Sequence, residues 1–386
     1  MKFLVRFFIS WFFFRSFNII FLFIKKKKTD VLIYYPQHFN TNSTHPFILH
    51  QIVQTLERQN RSYAIVEEPS LMHEIRNKNA IPADIFWGIV IIARKFFRGH
   101  NYHLIDQQIG RFFSLLVNHQ FSNIITVTQS FQSILGSMFP NAQLFDYQHG
   151  LISPKYAGYL DGNQISQSLV SNKCKVLLYG AEFQKKLAQH KQGAYFINNS
   201  SVVGSPYVSY QAPKEKFNDS ILYSLQFTGS HSKSTNHYFL EKTIDFFKQI
   251  DASNLNITMY VKEHPRFENC IDVSDLYTFK FVKKAPEHLS TCFKSCTLHL
   301  TEYSSVVFDA LVHGVPTILS MFSNQLNILL DEYDFPQPSN QHLVDRLIQM
   351  TDESYFQNMS QQQINWSKEL YSPFMSEQFL GILNQK

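Results

Sequence analysis

The sequence predicts an α/β protein made of two Rossmann-like, doubly wound domains facing a central cleft, preceded by an apolar membrane segment. Three observations predict it. From residue 31 onward, short β-branched runs alternate with longer helical ones, the pattern of βαβ units and parallel sheets. The chain has 386 residues, enough for two domains that each bury a core. Between two such series lies the stretch 206–220, which carries Pro213 and several charges and has linker composition. Hydrophobic residues at 44% and charged residues at 17% are those of a folded globular chain.

Taken in order, the first element is the apolar and aromatic run 3–24, which ends against Lys25, Lys26, Lys27 and Lys28 and holds part of the excess of 37 Phe and 19 Tyr. Its length suits a bilayer. Arg6 and Arg15 each oppose insertion by roughly 2.5 to 3.5 kcal/mol near a helix centre, and they fall on nearly opposite faces of a helical wheel. Residues 1–28 are therefore expected to attach the chain to a membrane, interfacially or as a marginal span. No small-residue cleavage site precedes the lysines, which argues against a removed signal. The lysines follow the apolar run, so the positive-inside rule places the rest of the chain on the cytoplasmic side. Anionic headgroups attract such a cluster by about 1 kcal/mol per residue. Much of the net charge of +5 is local to this segment, and no basic stretch with interleaved aromatics points to a nucleic-acid partner.

The first domain, 29–212, opens with a strand at 31–35, a helix at 46–59 and a strand at 63–66. Helices are expected at 84–97 and 103–118, then strand, helix and strand at 124–128, 131–138 and 143–147, and strands at 175–179 and 201–203. The second domain, 213–365, has strands at 221–225, 257–261, 279–282, 297–300 and 317–320, with helices at 235–250 and 304–313. A C-terminal helix occupies 366–386; in two-lobed enzymes such a tail often crosses back to the first lobe. Neither half carries G-x-G-x-x-G after its first strand, and no G-x-x-x-x-G-K-[ST] loop is present, which disfavours dehydrogenases and P-loop proteins. The cysteines, Cys174, Cys270, Cys292 and Cys296, are irregularly spaced and do not form a disulfide scaffold. His288, Cys292, Cys296 and His299 match no common zinc spacing, and no Asp-x-Asp cluster sits at a strand end, so neither a metal nor another cofactor is expected.

Three motifs carry the candidate chemistry. In 298–319, LHLTEYSSVVFDALVHGVPTIL, a buried strand ends in a turn at Thr301, Glu302 and Tyr303, and Ser304 and Ser305 open a helix. Free N–H groups and two hydroxyls at a helix start suit phosphates; alternatively Ser304 only caps the helix. The second motif is Lys262, Glu263, His264, Pro265 and Arg266, after the strand 257–261. Ligands of open α/β sheets sit at carboxyl ends of strands, where His264 can donate to a phosphate and Lys262 or Arg266 can offset a leaving group's charge. The third is FDYQHG, 145–150. His149 before Gly150 suits a tight turn projecting an imidazole that takes a proton from an acceptor hydroxyl, or is a structural turn residue. Asp146 is placed to orient it if strand alternation allows, and the loop from Ser153 to Tyr156 reads as acceptor-side.

The order QHG, then HP, then EYSSVVFDALVHGVP resembles two groups of bacterial surface-glycan transferases of the GT-B type, over roughly residues 30 to 365. One is the CDP-glycerol glycerophosphotransferase family of teichoic acid synthesis; the other is the capsular and lipopolysaccharide sialyltransferase and Kdo-transferase group. The resemblance implies His149 and His264 as catalytic residues and Lys262, His264, Arg266, Glu302, Ser304 and Ser305 as contacts to a nucleotide donor. Gln148, Gly150 and Ser153 fall on the acceptor side. Glu302 replaces the usual Asp of the glycerophosphotransferases. Gln148 and His149 stand where sialyltransferases have an acidic pair before Gly, which points away from a sialic acid donor and toward a histidine-based mechanism. The expected activity is metal-independent transfer of a sugar from a nucleotide donor, CMP- or CDP-linked, to a glycan or glycolipid acceptor of capsule or lipopolysaccharide, at the inner face of the bacterial cytoplasmic membrane. The alternatives are a CDP-polyol phosphotransferase, a nucleotide-sugar 2-epimerase and a non-catalytic glycan-assembly protein.

Overall fold

Val31, Leu32, Ile33, Tyr34 and Tyr35 are all fully buried, as a strand covered on both faces by helices requires. They form the middle of β1 (Lys28–Pro36), the centre of a seven-stranded sheet in the computed structural model. That model describes residues 14–40, 47–70, 75–96, 102–153, 158–161, 164–206, 208–229, 231–253, 255–264, 270–322, 327–338 and 342–385. The other strands are β2 (Tyr63–Glu68), β3 (Ile81–Pro82), β4 (Gln120–Val127), β5 (Gln143–Tyr147), β6 (Lys175–Leu178) and β7 (Ser200–Val202). All pairings are parallel and the spatial order is β3-β2-β1-β4-β5-β6-β7. The chain thus winds outward from β1 in one direction and then, from β4, in the other, leaving a switch point between β1 and β4.

The chain divides into two units, Met1–Tyr207 with Ser372–Lys386, and Val208–Tyr371. The second repeats the winding with β8 (Ser220–Ser224), β9 (Thr258–Lys262), β10 (Val282–Lys284), β11 (Leu298–Thr301) and β12 (Thr317–Leu319), in the order β10-β9-β8-β11-β12. Its core is aromatic. Phe247 packs edge-on against Phe279 and Phe281 at 5.5 and 5.6 Å, and Phe356 is fully buried in the same cluster, which accounts for part of the phenylalanine excess. His299, on β11, bonds Thr317 Oγ1 and Ser224 Oγ at 3.0 Å each, and burial pushes its pKa down to about 3. It is a neutral core histidine with both ring nitrogens used.

The stretch expected as a linker is tied down from its beginning. Gln211 N–H donates to Val312 O (2.8 Å) and Lys214 N–H to Gly314 O (2.9 Å). Gly314 has φ +72°, and a Cβ there would lie 2.1 Å from Ala212 O, so this glycine is required by both backbone and space. At the other end, Ser372 N–H donates to Tyr179 O and Met375 N–H to Val203 O, which joins the last helix, Ser376–Asn384, to the first unit.

The N-terminal apolar run is described from residue 14 onward. No helix among the described residues is long and apolar enough to cross a membrane. Residues 3–13, with Arg6, lie outside the described residues. The remainder forms α1 (Asn18–Ile24), whose Ile19 and Phe23 are buried; Phe23 packs on Phe86 at 6.0 Å and Phe139 at 5.7 Å. Arg15 donates to Lys78 O (2.9 Å) and Ala80 O (3.2 Å). Lys28 already pairs with Gln120 in the sheet. The end of the apolar run is thus an integral part of the first unit, because its periodicity supplies a buried face as well as an exposed one.

Candidate functional site

In the second unit the switch point lies between β8 and β11, so the loops 225–229 and 302–305 border the crevice where a doubly wound sheet takes its ligand. Tyr303 Oη and His231 Nε2, 3.0 Å apart, tie the second loop to the chain just beyond the first. Asn236 holds the first of them, donating through Nδ2 to Thr228 O (3.0 Å) and accepting Thr228 N–H (3.3 Å). Ser304 and Ser305 lie at the start of the short helix Val306–Val312. Ser304 is buried and its Oγ accepts Val306 N–H at 3.3 Å, while Ser305, the residue directly before the helix, is exposed and its side chain makes no capping bond. Glu302 is buried; its Oε2 accepts from the Ser320 hydroxyl and from Phe322 N–H (2.9 Å), so the carboxylate ties the turn after β11 to the turn after β12.

His264 is half-buried, two residues beyond β9, the strand next to β8. Lys262 is committed elsewhere: Nζ donates to Pro286 O (3.1 Å) and Glu287 O (2.5 Å), anchoring the turn after β10. Arg266 lies outside the described residues.

In the first unit, His149 follows β5 and stands beside the single helical turn Gln37–Phe39 that follows β1; its ring is 6.1 Å from that of Phe39, edge to face. The residue is exposed at its surface, yet loss of water around the imidazole, and then the like charge of His38, push its pKa down to about 4. The ring is neutral at pH 7 and able to accept a proton. Gln148 is buried and builds the turn: its Oε1 accepts Tyr179 N–H (2.8 Å) and its Nε2 donates to Gly150 O (2.6 Å). Gly150 has no left-handed φ, and a Cβ there would meet nothing within 4 Å, so the turn depends on the glutamine amide and not on the glycine. Ser153 is buried, and residues 154–157 lie outside the described ones.

Asp146 faces away from this loop. Its carboxylate accepts from Thr126 Oγ1 (2.8 Å), Gln129 N–H (2.7 Å) and Tyr159 Oη (2.8 Å), and burial raises its pKa to about 7 against those three donors. Strand alternation sends it to the segment after β4, where Thr128, Gln129 and Phe131 hold φ values of 67°, 56° and 50°. Left-handed backbone at such non-glycine residues costs about 1 kcal/mol or more apiece, and here a buried carboxylate holds it.

Sequence reasoning missed His38 and the loop from Thr228 to Ser232. The signal was available in both places, since QHFN and TGSHS each stand directly between a first strand and the next helix of their unit. A cavity of about 1210 Å³ lies at the amino ends of β1, β4 and β5, lined by Lys28, Gln120 and Gln143, and it holds none of the predicted side chains.

No family model matches the sequence, and no curated protein matches it. Solved structures do. The complex of Staphylococcus aureus MnaA with UDP is 12% identical, over 92% of this chain and 95% of that one, with a TM-score of 0.53. A UDP-N-acetylglucosamine 2-epimerase homologue from Listeria monocytogenes is 11% identical over 90% and 93%, with a TM-score of 0.51. A variant of the wall teichoic acid polymerase TagF is 11% identical over 95% and 92%, also with a TM-score of 0.51. At these identities the likeness establishes the fold: two Rossmann-like units of the kind shared by GT-B glycosyltransferases and 2-epimerases.

Proposed function

We propose that this chain is a glycosyltransferase that moves a sugar from a nucleotide donor, CMP- or CDP-linked, to a growing surface glycan. The observation that carries the reading is the placement of His149, an exposed imidazole at the carboxyl end of β5 beside the turn after β1. A neutral imidazole at a strand end is what removal of a proton from an acceptor hydroxyl needs. The hydroxyls of Ser304 and Ser305, at the switch point of the second unit, support a phosphate-bearing donor there, with His264 on the adjoining strand end. Polyol phosphate transfer from a CDP donor would use the same groups. A 2-epimerase is the second reading, favoured by the likeness to the Listeria monocytogenes structure.

A thermal-shift panel of CMP, CDP, UMP, UDP, GDP and ADP tests the donor assignment. The full chain is required, because truncation at residue 28 would remove Ile19 and Phe23 from the core. Selective stabilisation by CMP or CDP is expected. The pair Ser304→Ala with Ser305→Ala should weaken that binding by roughly tenfold to a hundredfold, the worth of hydrogen bonds to a charged group. Selective binding of UDP or GDP would move the donor to an ordinary hexose, and no binding by any nucleotide would sink the transferase reading.

We further propose that the first unit works against the anionic inner face of the cytoplasmic membrane. Phe17, Phe21 and Ile24 are exposed on and just before α1; Ile89, Ile92 and Phe96 are exposed on α2 (Asp84–Phe96), and Leu104, Phe112 and Leu115 on or just after α3 (Tyr102–Ser114). On the inner side the three helices meet, with Phe86 against Phe23 and, at 5.2 Å, Phe113. Exposed Lys25, Lys26, Lys27, Lys95 and Arg111 supply the charge an anionic surface selects. The full chain should co-sediment with phosphatidylglycerol-containing vesicles, and Phe96→Glu with Leu115→Glu should abolish most of that binding. Equal sedimentation of the double variant would refute this face as the contact.

A further inference from the structure

A histidine that serves as a base is commonly aimed by a third group that hydrogen-bonds its second ring nitrogen. His149 has no such group. Among the described residues nothing hydrogen-bonds its ring, and the nearby carboxylate of Asp146 is committed to Thr126, Gln129 and Tyr159. An imidazole on a strand-end turn is free about two side-chain torsions unless a neighbour packs against it. What packs against His149 is Phe39. The two rings are 6.1 Å apart with an interplanar angle of 74°, the edge-to-face arrangement that flat rings favour.

Phe39 stands on a turn that buried amides hold from both ends. Gln37 is 1% exposed; its Oε1 accepts Ser70 N–H (2.7 Å) and its Nε2 donates to Ile75 O (3.1 Å). Asn40 is 2% exposed; its Nδ2 donates to Glu67 Oε2 (2.6 Å) and Ile75 O (3.0 Å), and its Oδ1 accepts from Tyr35 Oη (3.0 Å). Asn40 N–H donates to Gln37 O (2.9 Å) and closes the turn. Both amides therefore use donor and acceptor together, which fixes the backbone between them. That backbone carries His38, exposed, and Phe39, half-buried, with their rings 4.3 Å apart. A mere connection after β1 would not need two buried amides. Their effect is to present one aromatic ring, at a fixed height, beside the imidazole after β5.

We propose that Phe39 is a positioning residue, whose ring holds the His149 imidazole in one orientation and so takes the place of the carboxylate in a hydrogen-bonded triad. The use of that orientation to remove a proton from the acceptor rests on the transferase reading; the orientation itself rests on the ring geometry and the clamped turn. A base displaced by about 1 Å loses on the order of a hundredfold in rate, so the contact has a kinetic consequence.

Proton–carbon correlation spectra of the full chain, isotope-labelled at histidine, test it directly, with the His149 signals identified by their loss in His149→Gln. A phenyl ring shifts the ring protons of a neighbour it touches. Phe39→Leu, which keeps an apolar side chain on the turn, should move the His149 signals, and Phe39→Tyr should return them to the parent position, with melting curves confirming that both variants fold. In turnover with the donor that the thermal-shift panel selects, Phe39→Leu should lower kcat by roughly tenfold to a hundredfold with the donor KM unchanged, and Phe39→Tyr should recover most of the loss. His149 signals unmoved by Phe39→Leu would overturn the proposal, and so would a kcat equal to the parent's. Signals that move as expected in a chain that turns over no nucleotide donor would uphold the contact and overturn only the transferase reading.

Discussion

His149→Ala is expected to cut transfer by about 10²- to 10⁴-fold, the usual contribution of a positioned general base, while nucleotide affinity stays nearly unchanged. The separation follows from placement. His149 belongs to the first unit, at the end of β5, whereas Ser304 and Ser305 belong to the second, at the end of β11. The pH profile adds a second readout. Dehydration and the neighbouring His38 hold the imidazole at about 4, so this group stays unprotonated through the neutral range, and its acid limb should fall near pH 4 and not near the ordinary value of 6.5. His38→Gln removes the like charge, which raises the His149 pKa and moves that limb to higher pH. Normal transfer by the His149 variant would show that the base lies elsewhere.

Arg76→Ala is expected to cost roughly 3 to 5 kcal/mol of stability, the penalty for leaving buried carboxylates unpaired. Arg76 lies between two of them, 2.5 Å from Glu67 Oε1 through Nε and 2.6 Å from Asp84 Oδ2 through Nη2, and both carboxylate side chains are 1% exposed. Glu67 also accepts from Asn40 Nδ2 (2.6 Å), Asn77 N–H (2.8 Å) and Tyr35 Oη (3.0 Å). The network clamps the segment 75–84 and the turn after β1 onto the ends of β1 and β2. Since a domain's whole stability is about 5 to 15 kcal/mol, the variant should melt far below the parent. Urea denaturation measures the loss, and Arg76→Met with Glu67→Gln and Asp84→Asn should recover most of it. A loss under about 1 kcal/mol in the single variant would mean that the site is hydrated and the pair weak.

Much of the framework was legible in the sequence. Strands expected at 31–35, 221–225 and 297–300 appear as Lys28–Pro36, Ser220–Ser224 and Leu298–Thr301. Each is a central strand of a parallel sheet, and burial on both faces demands a continuous apolar run that no loop would carry. The strand expected at 279–282 begins only at Val282, because Phe279 and Phe281 are apolar for a different reason: they flank Phe247. The two-residue β3 has no periodicity to read. Short helices at Gln167–Ser171 and Ala194–Asn199 went unseen for the same reason.

At the candidate site the division is sharper. Which segments end strands could be read from the amino-acid pattern alone, and that placed His149, His264 and the Ser304 turn at the carboxyl edges of two doubly wound sheets. That follows from local periodicity and from the one hand in which parallel crossovers wind. What those side chains face depends on the packing of distant segments. That packing turned Lys262 onto the carbonyls of residues 286 and 287, Glu302 onto Ser320, Gln148 onto Tyr179 N–H, and Asp146 onto the segment after β4; it also set His38 beside His149. Each of these partners lies well over a dozen residues away along the chain. A carboxylate, amide or ammonium near a strand end bonds whichever donor or acceptor the packing brings within 3 Å, and that choice is made by strand order and register, which no local pattern encodes.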